Sequence, residues 1–483
     1  MDQPSMAVAQ AVLQATIGAG VGALILAALR DMRRRWSLLA ALVGLGVLLR
    51  AGTGLALFWI SYLDLPILGH LHDGQGFWKL ALDARMYFEV AGDASERGLW
   101  TISSGSSSPA YVRALALWMK LVGVSPASGL FLNLACYVLI CWLVVRLARR
   151  GDTWSTAPLV VTLVSFTLSP AFVLVTAQSL KDAFFVTLVA TVCVGWFWVA
   201  GPMARGTEER GYWPPLLLGL SVLSICTFLI AGVRPYYALF VWGAAASTLP
   251  ILLFSCAQGT RLRHGLTGVV AIVLIWTAFM LGAGPYYELY APARFLVRQS
   301  VTSTLTRVDS AREGFVLAGG STNIVIRARR DRGAGVSPTA DEPTAVDRVI
   351  QTIVGAAVLF VPISLLKMLS VVDFMGGRGL LFITDADTVF FDGTLAASLG
   401  VLLAARRRVA SWLPLVWFAG SLALVSALSM AYVVTNFGTM FRLRLIVAAP
   451  IWILPALLAS RRAAFAGSPS QESAEPCVAS RVT

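Results

Sequence analysis

LDARMYFEVA, Leu82 to Ala91, is a polar island in a chain written largely in hydrophobic runs. It holds Asp83, Arg85 and Glu89, and hydrocarbon does not tolerate a carboxylate, so this stretch lies outside whatever the apolar runs occupy. Outward from it, stretches long enough to cross roughly 30 Å of hydrocarbon, at about 1.5 Å per helical residue, recur along nearly the whole chain. Of 483 residues, 57% are hydrophobic and 13% charged. With a mean hydropathy of +0.76, that composition excludes a soluble domain. The expectation is an all-α polytopic membrane protein, because in lipid every backbone polar group must be satisfied within its own segment.

Short cytoplasmic loops accumulate Lys and Arg, and the basic clusters set the topology. Asp31–Arg35, Arg146–Arg150, Arg205–Arg210, Arg261–His264, Arg406–Arg408 and Arg461–Arg462 all face the cytoplasm in one consistent threading. It has about eleven transmembrane helices, near 6–30, 37–60, 128–148, 155–176, 183–200, 214–232, 236–255, 265–283, 389–405, 411–432 and 441–459. The N-terminus is then outside and the C-terminus inside. The first run, Met6 to Leu29, has no positive segment before it and reads as a retained span, with an uncleaved signal anchor as the alternative. Two apolar segments do not fit as crossings. Pro109–Val124, interrupted by Arg113 and Lys120, suits an amphipathic helix at the outer interface. Val349–Leu369, with Pro362 and Lys367 inside it, suits a re-entrant or broken helix.

The expected organisation is N-terminal transmembrane helices in 1–60, a first extracytoplasmic loop with interfacial helices in 61–127 and a transmembrane core in 128–284. A second extracytoplasmic loop with the re-entrant segment follows in 285–388, then C-terminal transmembrane helices in 389–466 and a disordered cytoplasmic tail in 467–483. The formal charge of +13 sits mostly in short loops where orientation explains it, so no nucleic-acid partner is expected. The six cysteines lie in spans, at a cytoplasmic end or in the tail, and no outside disulfide is expected. The Ala- and Arg-rich usage suggests a bacterium with a GC-rich genome, and hence a multi-pass protein of the bacterial inner (cytoplasmic) membrane with membrane lipids as partners.

Hydrophilic mass beyond what connects helices lies in two outside loops, Ser61–Ser108 and Pro285–Arg348. The first has six acidic residues against three basic ones, net −3. The second, between Ala291 and Arg332, has eight arginines, among them Arg294 and Arg298, against three acids, net +5. A carboxylate-bearing loop facing an arginine-bearing loop suits a reaction in which a hydroxyl is deprotonated while a phosphate leaves. Two solvated surface loops would carry the same charges.

Asp83, Tyr87, Glu89 and Ala91, followed by SSPAYVRALALWMKLVGVSP with Pro109, Tyr111 and Gly123, resemble the first outside loop of GT-C glycosyltransferases. That superfamily includes protein O-mannosyltransferases and lipid A aminoarabinose transferases. The resemblance is clearest over 51–200. It departs from the pattern at Ala84, where the family usually has a second acid, and at Pro109, where it has a doubled proline. It implies a GT-C-like fold and a role for Asp83 in activating the acceptor nucleophile. The residues agree, since a carboxylate at the bilayer edge is partly desolvated and so more basic. Tyr87 lies one helical turn on, on the same face. A helix N-cap at Asp83 is the plainer reading and is compatible with the first. Asp64 and Asp73 are rival bases in the same loop.

SLKDAFF places Lys181 and Asp182 at the outer hinge between two crossings, where ionisable residues are costly. The resemblance implies that Asp182 lines the site and Lys181 meets a donor phosphate. Alternatively, Lys181 snorkels to water and Asp182 starts the next helix. Arg442 and Arg444, after a turn with Asn436, Gly438 and Thr439, form a candidate phosphate clamp. Arg234 with Tyr236 and Tyr237, and Tyr286, Tyr287 and Tyr290, are further outer candidates, or an aromatic belt. Arg50, deep in its span, calls for an acidic partner or a wet cavity. Asp373, Asp385, Asp387 and Asp392 offer oxygen ligands for Mg²⁺ or Mn²⁺, but their spacing matches no metal loop and no metal ligand is assigned. His70 and His72 suit a surface role rather than zinc.

The expected function is a membrane glycosyltransferase that moves a sugar from a polyprenyl-phosphate-linked donor to a glycan or lipid acceptor on the extracytoplasmic face, in cell-envelope glycan or glycolipid assembly. Asp83 and Asp182 are its catalytic candidates, and Tyr87, Lys181, Arg234, Arg294, Arg298, Arg442 and Arg444 its substrate-binding ones. The alternatives are a polysaccharide polymerase or ligase using undecaprenyl-pyrophosphate-linked glycans, and a non-catalytic lipid-glycan transporter. Against the last, the sequence has no internal repeat of the kind transporters often carry.

Overall fold

The computed structural model describes residues 3–62, 82–102, 108–125, 127–147, 153–205, 213–255, 261–283, 308–309, 312–313, 325–326, 345–373, 378–434 and 437–460. Two long helices open the chain, α1 (Gln3–Arg35) and α2 (Ser37–Tyr62). The polar island becomes α3 (Leu82–Arg97), followed by a single 3₁₀ turn and by α4 (Pro109–Val122). Then come α5 (Ser128–Leu147), α6 (Thr153–Leu168), α7 (Pro170–Thr176), α8 (Lys181–Arg205), α9 (Trp213–Val233), α10 (Pro235–Ser255) and α11 (Arg261–Ala283). The C-terminal part holds α12 (Ala345–Phe360), α13 (Ile363–Met368), α14 (Arg378–Ala404), α15 (Arg406–Ser411), α16 (Leu413–Val433) and α17 (Phe437–Leu458). One short antiparallel pairing, β1 (Val325–Ile326) with β2 (Val372–Asp373), joins the second outer loop to the segment after α13.

Ten of these helices are long and apolar enough to cross a membrane, and α6 with α7, bent by 53°, passes the same test when the pair is taken as one span. The protein is an all-α multi-pass membrane protein, as its hydropathy predicts. The two most enclosed spans are α8 and α17, with 83% and 89% of their apolar windows buried in protein. Stacking of Trp196 on Phe418 and of Phe197 on Trp412 locks α8 to α16 and its N-terminal flank. Around this centre the outward faces stay apolar, with Leu48, Ile225, Leu281 and Leu424 exposed to lipid.

Neither of the two apolar segments set apart from the crossings forms a helix long enough to be a candidate span. Pro109 opens α4, where its missing N–H costs nothing, and Gly123 closes it at φ 102°, donating to the carbonyl of Met119. Tyr111, Val112, Leu115, Ala116 and Met119 form the buried stripe of α4, leaving Leu117 and Leu121 outside. The 349–369 segment is broken at Pro362, between α12 and α13. Gly355 lets α12 lie directly on α16, since a Cβ there would come within 1.7 Å of the Ala431 carbonyl oxygen.

The structure corrects the expectation for Arg50. Among the described residues, its hydrogen-bond partners are backbone carbonyls rather than an acidic side chain. Its guanidinium donates to the carbonyls of Gly46, Thr167 and Phe166, and lies 3.8 Å from the centroid of the Tyr137 ring. The reason is the break between α6 and α7. Pro170 has no N–H to give to Phe166, and the Ala171 N–H turns away from Thr167 to Asp387 Oδ1 at 2.9 Å, so two carbonyls are left for Arg50. The Phe172 N–H is taken by Ser169 Oγ. Arg50 and Asp387 thus seal the break from opposite sides.

The ninth predicted span also starts earlier than expected, because α14 begins at Arg378 and its apolar window at Leu381. Thr384, Asp387 and Thr388 make that stretch look too polar for a membrane, yet all three are buried. Arg444 lies 3.7 Å from Asp387 and donates to Thr388 Oγ1, which itself donates to the Thr384 carbonyl.

Candidate functional site

The starts of α4, α8, α10 and α17, with the end of α9, converge on one carboxylate. The turn after α7 delivers Lys181 and Asp182 as the first two residues of α8. That turn is fixed by Asn133 of α5, fully buried, whose Nδ2 donates to the carbonyls of Gln178 (2.6 Å) and Leu180 (3.2 Å). Asp182, 1% exposed, accepts from Arg234 Nη2 through Oδ1 at 2.6 Å, while Oδ2 faces Arg442 Nη1 at 3.8 Å. Arg234 sits between α9 and α10, its Nη1 donating to the Tyr236 hydroxyl at 3.0 Å and its guanidinium 5.2 Å from the Phe185 ring centroid.

Lys181 donates to Ser108 Oγ, and Ser108 Oγ donates to the carbonyl of Val233 at 3.0 Å. Ser108 holds a left-handed backbone, φ 63° and ψ 56°, at the N-cap of α4. A non-glycine residue there costs on the order of 1–3 kcal/mol, and the two side-chain bonds and the packed start of α4 hold it in place. The Lys181 ammonium lies 5.5 Å from the centroid of the Tyr87 ring. Tyr87 is buried in α3 and packs edge-on to Tyr111 of α4 at 5.5 Å. Burial in apolar surroundings pushes the Tyr111 hydroxyl well above the ordinary tyrosine range.

Five of the sequence candidates are therefore neighbours: Tyr87, Lys181, Asp182, Arg234 and Arg442. The group carries three cations to one carboxylate, with Arg442 about a fifth exposed. Asp83 is the second residue of α3, one turn before Tyr87, which puts it on the same face of that helix. Its side chain, and all of Arg294, Arg298, Asp64, Asp73, His70, His72, Tyr286, Tyr287, Tyr290 and Asn436, lie outside the described residues. Arg444 stands apart from the cluster, bound to Asp387, Thr388 and the Val358 carbonyl inside the bundle. Tyr237 is a packing residue against Phe185, its hydroxyl on the Ile446 carbonyl. Of the acids considered for Mg²⁺ or Mn²⁺, Asp385 accepts from Ser364 and Asp387 from Ala171. Among the described residues, no three His, Cys, Asp or Glu side chains converge as metal ligands would.

Sequence reading missed Ser108 and Asn133. For Ser108 a signal existed in the SSSP run before α4, whereas Asn133 reads as an ordinary polar residue in a span. A second outer cluster was also missed. Asp309 accepts from Arg348 of α12 at 2.8 Å and from the hydroxyl of Tyr432 at the end of α16, with Arg312 beside the Tyr432 ring at 5.7 Å. Partial burial pushes the Asp309 carboxyl up, but the hydrogen bonds from Arg348 and Tyr432 and the charges of Arg348 and Arg312 outweigh it, holding the group below the ordinary carboxylate range.

A carboxylate held low in the folded state contributes stability above its unfolded pKa of about 3.9 and loses it as pH falls through the lower folded value. Hydrogen exchange in the first turns of α12 is therefore expected to stay constant from pH 7 to about 5, after correction for intrinsic rates, and to quicken only below about 4. Asp309→Asn should show the quickened exchange already at neutral pH. Identical exchange in that variant would mean that Asp309 does not anchor the loop.

No family model matches the chain, and neither the curated proteins nor the solved structures contain a significant match to it. Fold and site together define a class, a multi-pass helical membrane protein with a cationic cluster built around a buried carboxylate at one end of its helices.

Proposed function

We propose that this chain is a GT-C-type glycosyltransferase of the bacterial inner membrane that transfers a sugar from a polyprenyl-phosphate-linked donor to a glycan or lipid acceptor on the extracytoplasmic face. The observation that carries the reading is the three-cation cluster on Asp182 lying against α3, the helix that bears Asp83. In the proposed reaction the Asp83 carboxylate takes the acceptor hydroxyl proton. The acceptor oxygen bonds to the anomeric carbon as the bond from that carbon to the phosphate oxygen breaks. Polyprenyl phosphate then leaves with the electron pair.

Lys181 and Arg442 offset the charge developing on that phosphate, and Arginine suits it because its planar fork matches phosphate oxygens. Asp182 holds Arg234 and draws Arg442 toward one point. Three cations also suit a pyrophosphate leaving group, which keeps the polymerase or ligase reading as the second choice.

The experiment is turnover by the purified protein in proteoliposomes, supplied separately with labelled polyprenyl-phosphate and polyprenyl-pyrophosphate sugars. Release of polyprenyl phosphate is the expected result, with Arg442→Gln lowering turnover about 10- to 100-fold, the loss of one charge-assisted contact. Turnover of the pyrophosphate donor alone would favour the polymerase. No product from either donor would end the catalytic reading and leave the transporter.

A further inference from the structure

The face of α14 opposite Asp387 carries a second feature. A groove of about 800 Å³ runs between α13 and α14, walled by Pro362, Leu381, Phe382, Ala386, Val389 and Phe390. Phe382 and Val389 are 75% and 62% exposed, so the groove opens toward lipid. Its polar contribution is Asp385, accepting from the Ser364 N–H at 3.4 Å and from the Ser364 hydroxyl.

Asp385 lies four residues inside the outer end of its span, a depth of about 6 Å at the helical rise of 1.5 Å per residue. A carboxylate so placed on a lipid-facing wall is costly without a cation. Asp387, two residues on, points to the opposite side of α14 and pairs with Arg444 there, whereas the groove meets Asp385 with a neutral serine. An apolar trough with a carboxylate at its mouth complements a lipid tail and a primary ammonium in its head group.

We propose that the groove between α13 and α14 binds an outer-leaflet phospholipid with a zwitterionic, primary-ammonium head group, of the phosphatidylethanolamine class. The ammonium donates to Asp385, and one acyl chain lies along Leu381, Phe382, Val389 and Phe390. The site stands independently of the transferase reading, because it requires no donor or acceptor.

The test is native mass spectrometry of the delipidated protein titrated with phosphatidylethanolamine, phosphatidylcholine and phosphatidylglycerol of matched chains. Phosphatidylcholine keeps the charge but offers no N–H. Wild type should retain phosphatidylethanolamine about tenfold better than either other lipid, the difference of one hydrogen bond to a charged group. Asp385→Asn should bring the three to parity, and Ala386→Trp, on an exposed face where folding is not at stake, should abolish retention of all three by filling the trough. Equal retention of the three lipids by wild type would overturn the proposal, as would unchanged retention in Ala386→Trp, which decides the matter even if Asp385→Asn does not fold.

Discussion

Asp83→Asn is expected to lower sugar transfer by about 10²- to 10⁴-fold, the range a positioned general base supplies, while leaving thermal unfolding in detergent at the wild-type temperature. Asp83 opens α3 one turn before Tyr87, whose ring lies 5.5 Å from the Lys181 ammonium, so the start of α3 overlooks the cationic cluster. An amide keeps the shape and any capping hydrogen bond but takes no proton. The measurement is turnover at saturating donor beside an unfolding curve of the same preparation. Near-normal turnover would remove Asp83 from the chemistry and pass the base role to Asp64 or Asp73.

The second large effect lies on the other carboxylate and has the opposite signature. Asp182→Ala leaves Arg234, with its side chain 9% exposed, without its counter-charge, and breaking one side of a buried ion pair costs about 3–5 kcal/mol. Here unfolding should shift strongly, with a smaller loss in Asp182→Asn, whose amide oxygen still accepts from Arg234. A double variant that also replaces Arg234 by Met should recover part of the loss, since no charge is then stranded. If Asp182→Ala unfolds as wild type does, Asp182 is not the hub of the cluster. The two substitutions together separate the carboxylate proposed as the base from the one that holds the cluster together.

Most of the fold was legible because hydropathy and basic loops are one-dimensional signals. The eleven expected spans correspond to ten long helices and one bent pair, and the segments at 109–124 and 349–369 fell outside that set as their prolines, arginine and lysines suggested. What escaped was pairing at a distance. Arg50 finds carbonyls 116 and 117 residues away, freed by a proline that is visible in the sequence although its consequence for another helix is not. The start of α14 was misplaced because Asp387 counts as a charge until Arg444 is set beside it. Of the site, Lys181, Asp182, Arg234, Arg442 and Tyr87 were legible as ionisable or aromatic residues at outer helix ends. Arg444 has the same signature but turns inward, because two positions along a helix reverse the direction of a side chain. Ser108 and Asn133 act through backbone groups, which carry no mark in the sequence.

The sealed break between α6 and α7 also bears on how the protein is made. Arg50 is already present when α6 and α7 emerge from the ribosome, but the carboxylate that takes the Ala171 N–H lies 216 residues further on. At typical synthesis rates the half-sealed kink waits roughly 10–40 s for α14. During that interval a bare amide inside the bilayer invites lipid head groups, water or an insertion chaperone. The N-terminal half is thus a dependent intermediate, completed only when a late helix slots in beside it, and truncations that end before α14 should be recognised by membrane quality control rather than accumulate as a stable half-bundle.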